Sequence, residues 1–137
     1  MTLPRLRQVV LDAPDARALA EFYRELLGLV YRPGDEPPAG GGPDPQGADW
    51  LVLRDGERVA LAFQPVDELP RSTWPDPTVP MQLHLDLTVP TVADFEAQHE
   101  RALALGARLL LDRYDDSEEP LYVYADPAGH PFCIFVG

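Results

Sequence analysis

"MQLHLDLTV", residues 81–89, alternates Leu83, Leu85, Leu87 and Val89 with Gln82, His84, Asp86 and Thr88. A period of two places successive side chains on opposite faces of a sheet. One face is therefore core, and the other carries an amide, an imidazole and a carboxylate in a row. Such a face is covered either by water or by the contents of a pocket. The flanking sequence favours the pocket.

The stretch runs into "TVADFEAQHERALALGA", where Thr91 is a candidate N-cap with Asp94 three residues on, resembling a capping box. Val92, Phe95, Leu103 and Leu105 supply its apolar stripe, and Gly106 ends the helix. Strand-like "RLLLDR", "PLYVYAD" and "PFCIFVG" follow, the last two joined by a turn at Asp126-Pro127-Ala128-Gly129. The first half repeats this order. "RLRQVVLD" precedes "APDARALAEFYRELLG", in which Ala18, Leu19, Phe22, Tyr23, Leu26 and Leu27 form a helical stripe. Asp12 or Asp15 caps its start, Pro14 suits the first turn, and Gly28 suits the left-handed C-terminal position. "LVYR", "DWLVLRD" and "RVALAFQPV" come next, with a turn at Asp55-Gly56 between the last two.

The order is thus βαβββ twice, and laying Gln8 on His84 aligns "QVVLDAP" with "HLDLTVP". The expectation is an α+β fold in one domain, residues 1–137: module one over about 4–66, a linker over about 67–80, and module two over about 81–137. Residues 33–47, "PGDEPPAGGGPDPQG", are too rich in Pro and Gly for regular structure and read as a mobile loop, either a lid or a tolerated insertion. The linker is stiffened by its prolines and contains Trp74, which is costly to expose and must pack on core, partner or ligand.

At 137 residues and 45% hydrophobic, the chain can bury a real core. Its net charge of -12 repels phosphate backbones and anionic membranes, which argues against nucleic-acid or membrane partners and leaves room for a cationic ligand. Cys133 is the sole cysteine, so no intrachain disulfide forms. The N-terminal stretch lacks a signal-length apolar run, and no run approaches the roughly 20 residues that span a bilayer. A cytoplasmic protein is expected. All 11 basic residues are Arg and none is Lys, from which no function is inferred.

The organisation resembles the vicinal oxygen chelate superfamily, which includes glyoxalase I, extradiol dioxygenases, fosfomycin-resistance transferases and bleomycin-resistance proteins. The carriers are "LDAPDARALAEFYRELLGL", "QLHLDLTV", the helix ending "ALGA", and "YADPAGHPFCIF", most similar to a glyoxalase-like subgroup. The resemblance implies modules curled, barrel-like, into a mixed sheet around a central cavity, with frequent homodimers. In metal-dependent members, ligands project from the first and last strand of each module. Carried onto this chain, those positions are Gln8, Gln64, His84 and Cys133.

Two amides, one imidazole and one thiol are a weak set for a divalent cation. A His and a thiolate suit zinc, but fall short of its usual three or four ligands. Asp86, about 6–7 Å along the strand from His84, is a further donor. The expectation is a cavity without cofactor. A divalent metal, if bound, takes His84, Cys133, Gln8 and Gln64.

His130 follows the turn glycine, where backbone groups usually satisfy it, although a cavity would also open there. His99 falls on the polar face of the second helix and reads as solvent-exposed. Tyr122 and Tyr124 share one strand face and read as core or dimer packing. No serine stands in a strand–turn–helix setting, and Gly40 to Gly42 lack the Lys and Ser/Thr of a phosphate loop. Three functions remain. The first is a metal-free, resistance-like module binding a polar or cationic small molecule through Gln8, Gln64, Trp74, His84, His130 and Cys133. The second is a lyase, isomerase or dioxygenase, using an atypical metal set or His84 as acid–base oriented by Asp86. The third is an interaction domain with a vestigial cavity.

Overall fold

The computed structural model describes residues 1–137, the side chain of residue 59 excepted. Met1–Leu69 and Pro70–Gly137 form two compact units. The first contains β1 (Val9–Ala13), α1 (Ala16–Leu27), β2 (Val30–Tyr31), β3 (Leu51–Asp55) and β4 (Arg58–Pro65). The second contains β5 (Leu85–Val89), α2 (Val92–Ala104), β6 (Arg108–Arg113), β7 (Leu121–Ala125) and β8 (Pro131–Val136). Each unit builds its own four-stranded mixed sheet, ordered β1-β4-β3-β2 and β5-β8-β7-β6. In both, the first and last strands pair in parallel and the rest antiparallel. The α+β class and the doubled βαβββ order are as expected. No helix among the described residues is long and apolar enough to cross a membrane.

In the first unit Asp15, not Asp12, caps α1, its side chain accepting from Ala18 N–H at 2.9 Å. Gly28 ends the helix at φ 67°, in the left-handed region. The buried stripe is Ala16, Leu19, Ala20, Phe22, Tyr23 and Leu26. Ala18 and Leu27 face out instead, because the sheet-facing arc centres on Leu19 and Tyr23. Tyr23 stacks on Phe63 of β4 at 6.1 Å, which turns Leu61 and Phe63 towards the helix and Ala62 and Gln64 away. Burying each large apolar side chain stabilises this layer by roughly 1.5–3 kcal/mol.

The Pro/Gly-rich segment departs from the expectation of a mobile loop. It contains a 3-10 turn at Ala39–Gly41 and is held at both ends. Asp35, 2% exposed, accepts from Val52 N–H of β3 at 2.8 Å. Arg17 of α1 grips Asp44 with two nitrogens at 2.8 and 3.0 Å and donates to the Asp35 carbonyl at 2.6 Å. Composition disfavoured regular structure, but side chains distant in sequence supply the order.

In the second unit Thr91 caps α2, accepting from Asp94 N–H at 3.1 Å while its hydroxyl donates to the Asp94 carboxylate at 2.6 Å. The helix buries Phe95 and Ala102, whereas Val92 and Leu103 are exposed, so its apolar stripe is narrower than expected. Phe95 stacks on Tyr122 at 4.8 Å, and Tyr124 on Phe132 at 5.0 Å. Both tyrosines are therefore core under α2. His99 is not solvent-exposed: it stacks on Tyr122 at 4.0 Å, and its Nδ1 meets the Tyr124 hydroxyl at 2.7 Å. An aromatic layer on the sheet draws the imidazole in.

Candidate functional site

β5 begins at Leu85, later than the alternating pattern alone would start it, so His84 lies just before the strand. The cause is on its neighbour. Leu85 pairs with Phe132, so the next residue of β8 back along the ladder is Pro131, which has no N–H to donate. The alternation then proceeds as expected. Leu85, Leu87 and Val89 are half-buried, while Asp86 and Thr88 are exposed on the opposite face.

Asp86 and Cys133 are Cα partners across the parallel β5–β8 pair and point the same way. The Cys133 thiol donates to Asp86 Oδ1 at 2.8 Å, and His84 Nε2 lies 3.2 Å from the same oxygen. Burial, and after it the Asp86 carboxylate, push the thiol up to about 12. At neutral pH Cys133 is a protonated donor rather than a ready nucleophile.

These residues line a cavity of about 280 Å³. Its apolar walls include Trp74, Met81, Leu111, Leu121, Val123 and Phe135. Its other polar members are Arg113 and Glu119, and Arg113 is paired with Asp116 at 2.5 Å. The polar face of residues 81–89 therefore meets a pocket through His84 and Asp86.

Of the residues singled out from sequence, Trp74, His84, Asp86 and Cys133 come together here. His130 does not line this cavity. It closes the β7–β8 turn, its N–H donating to Asp126 Oδ1 at 2.9 Å and its carbonyl accepting from Asp126 N–H at 2.9 Å. Gln8 and Gln64 belong to the first unit: Gln8 is half-buried just before β1, and Gln64 is exposed on β4 opposite Asp12. With Gln8 laid on His84, Val10 corresponds to Asp86, and its partner Ala62 occupies the place of Cys133. Gln64 lies two residues further along the same face. Arg113 and Glu119 were not singled out from sequence. The alternation of Leu121 and Val123 with the two core tyrosines was the available signal for the pocket face of β7.

The donor set does not fit a resident divalent cation. Among the described residues no three His, Cys, Asp or Glu side chains are grouped to hold one. The Cys133 thiol directs its hydrogen at Asp86 Oδ1, on the carboxylate that would otherwise be the strongest ligand.

A glyoxalase-like domain model matches residues 8–135. No curated protein matches the chain in sequence. Among solved structures, a glyoxalase/bleomycin resistance protein/dioxygenase family enzyme from Burkholderia phytofirmans PsJN is 18% identical, with a TM-score of 0.68 over 95% of this chain and 96% of that one. The fosfomycin resistance protein FosX from Listeria monocytogenes is 14% identical, with a TM-score of 0.68 over 99% and 95%. A lactoylglutathione lyase from Agrobacterium tumefaciens is 18% identical, with a TM-score of 0.59 over 100% and 96%.

Proposed function

This chain belongs to the glyoxalase-like domain family, and from that premise we propose that it binds a small organic cation in the cavity of its second unit, without a resident metal. The similar structures include a fosfomycin resistance protein and a lactoylglutathione lyase, and a shared fold alone carries neither role to this chain. The site must decide.

One observation carries the reading. Asp86 Oδ1 holds the Cys133 thiol and faces His84, while Oδ2 takes no hydrogen bond from the described residues. A half-used carboxylate in a cavity also walled by a tryptophan suits a cation bearing N–H donors, with the indole supplying a cation–π face. Glu119 adds a second negative group, and Asp116 offsets Arg113. The volume sits at the small end of ligand pockets, roughly 300–1,000 Å³.

The test compares benzamidinium with neutral benzamide, read by Trp74 fluorescence in a Trp50→Phe background. Benzamidinium should bind at least about tenfold more tightly, and Asp86→Asn should erase the preference. Exhaustive chelation should change neither value. Equal binding of the two probes, or binding of neither, overturns the reading.

The 3.2 Å approach of His84 to Asp86 favours a second reading, in which the imidazole moves a proton in an isomerase or lyase step. His84→Gln separates the two: a binding module keeps its ligand, and an enzyme loses turnover.

A further inference from the structure

Two cavity walls, Trp74 and Met81, belong to neither helix nor strand. Something else must hold them in place. Residues 73–79 close upon themselves: Thr73 N–H donates to the Val79 carbonyl at 2.8 Å, and Val79 N–H returns to Thr73 Oγ1 at 2.8 Å. Thr78 N–H donates to Asp76 Oδ1 at 2.8 Å, and Trp74 N–H to Ser72 Oγ at 3.2 Å. These bonds stiffen the loop internally but do not fix it to the sheet.

The fastening is Arg71. Its Nη1 donates to the Pro127 carbonyl at 2.9 Å, with a longer contact of 3.4 Å from Nη2 to the Asp126 carbonyl. Its aliphatic stem lies over Gly129, where an added Cβ would stand 3.1 Å from Arg71 Cβ and Cγ. The turn it grips is itself rigid. Asp126, 1% exposed, accepts from the N–H groups of Ala128 and His130, both at 2.9 Å. Beyond that turn the chain enters β8 and delivers Pro131, Phe132 and Cys133 to the cavity.

We propose that Arg71 is a positioning residue of the ligand site, latching the segment that carries Trp74 and Met81 to the β7–β8 turn. One turn then sets both the strand floor and the indole wall. The bearing on ligand rests on the function proposed above; the latch itself is testable without ligand. Preorganising one aromatic wall removes an ordering cost on binding.

The test uses the full chain with Trp50→Phe, so that Trp74 is the sole indole. Arg71→Met keeps the stem over Gly129 and removes the guanidinium. Acrylamide quenching of Trp74 should rise about twofold and its emission should shift to the red as the loop opens, with far-UV circular dichroism unchanged. Benzamidinium affinity should fall about three- to tenfold, and Arg71→Lys, retaining one donor group, should recover part of both effects. Unchanged quenching and emission in Arg71→Met overturn the latch, even if ligand still binds. Increased quenching with no benzamidinium binding in any variant, wild type included, upholds the latch and sinks the ligand reading instead. If Arg71→Met loses its circular dichroism, Arg71→Gln, which shortens the side chain and removes the guanidinium, carries the same quenching test.

Discussion

The Cys133 thiol donates to Asp86 Oδ1 across 2.8 Å, and the two residues are direct partners in a parallel strand pair. Burial and the carboxylate both disfavour the thiolate, raising the thiol from 9.0 to about 12. Iodoacetamide should therefore label native Cys133 slowly at pH 8. Asp86→Asn removes the carboxylate but leaves the burial, and labelling should quicken about tenfold for each unit the pKa falls. The folded-state value is raised, so this thiol's contribution to stability is intact below pH 9. It is lost as pH climbs from about 9 to about 12. Urea midpoints at pH 8 and pH 11 check the sign.

Asp35 ties the Pro/Gly-rich segment to β3 through Val52 N–H. Asp35→Ala leaves that buried donor unpaired and should cost on the order of 2 kcal/mol in urea unfolding. Arg17→Met should leave the fold intact and raise hydrogen exchange between residues 35 and 48, because it removes the grip on Asp44 and on the Asp35 carbonyl.

Phe95 and His99 of α2 pack on Tyr122 and Tyr124 in an aromatic layer with Tyr122 at its centre. Phe95→Ala should cost about 3–5 kcal/mol, since the ring is 1% exposed. Tyr124→Phe keeps the ring and removes only the hydroxyl that meets His99 Nδ1, at about 1 kcal/mol. A reversal of that order in denaturant melts would contradict the packing described. Burial pushes the Tyr124 phenol well above its usual range, so it should ionise after Tyr31, Tyr114 and Tyr122 in an alkaline absorbance titration.

Asp15→Ala and Thr91→Ala should each cost about 1 kcal/mol, the usual loss of an N-cap side chain. The caps lie in separate units, so the double variant should lose the sum. A loss confined to one variant would show that the other helix is held by packing alone.

Much of the fold was legible because local periodicity carries it. Periods of two and 3.6, a cap at Asp12 or Asp15, the cap at Thr91, and Gly28 are written in adjacent residues. The pocket face was legible for the same reason at His84 and Asp86, and the family resemblance pointed to Cys133. What escaped was long-range. Arg17 gripping Asp44 spans 27 residues, and Arg71 reaching Pro127 spans 56. Neither leaves a periodic trace. Strand register is similarly hidden: β3 shifts its pairing between Leu53 and Arg54, and Ala62 rather than Gln64 comes to stand where Cys133 stands in the second unit. His99 was misplaced because an imidazole among polar neighbours gives no hint of the tyrosines beneath it.

In each unit the first and last strands run side by side in the same direction, β1 with β4 and β5 with β8. Tension applied at the two chain ends therefore pulls neighbouring strands in opposite senses along their length. The rungs of the ladder bear that load together instead of parting one after another like a zip. Each unit should therefore yield to stretching by shear, one strand sliding past its neighbour before the sheet opens, as a force-extension measurement would record.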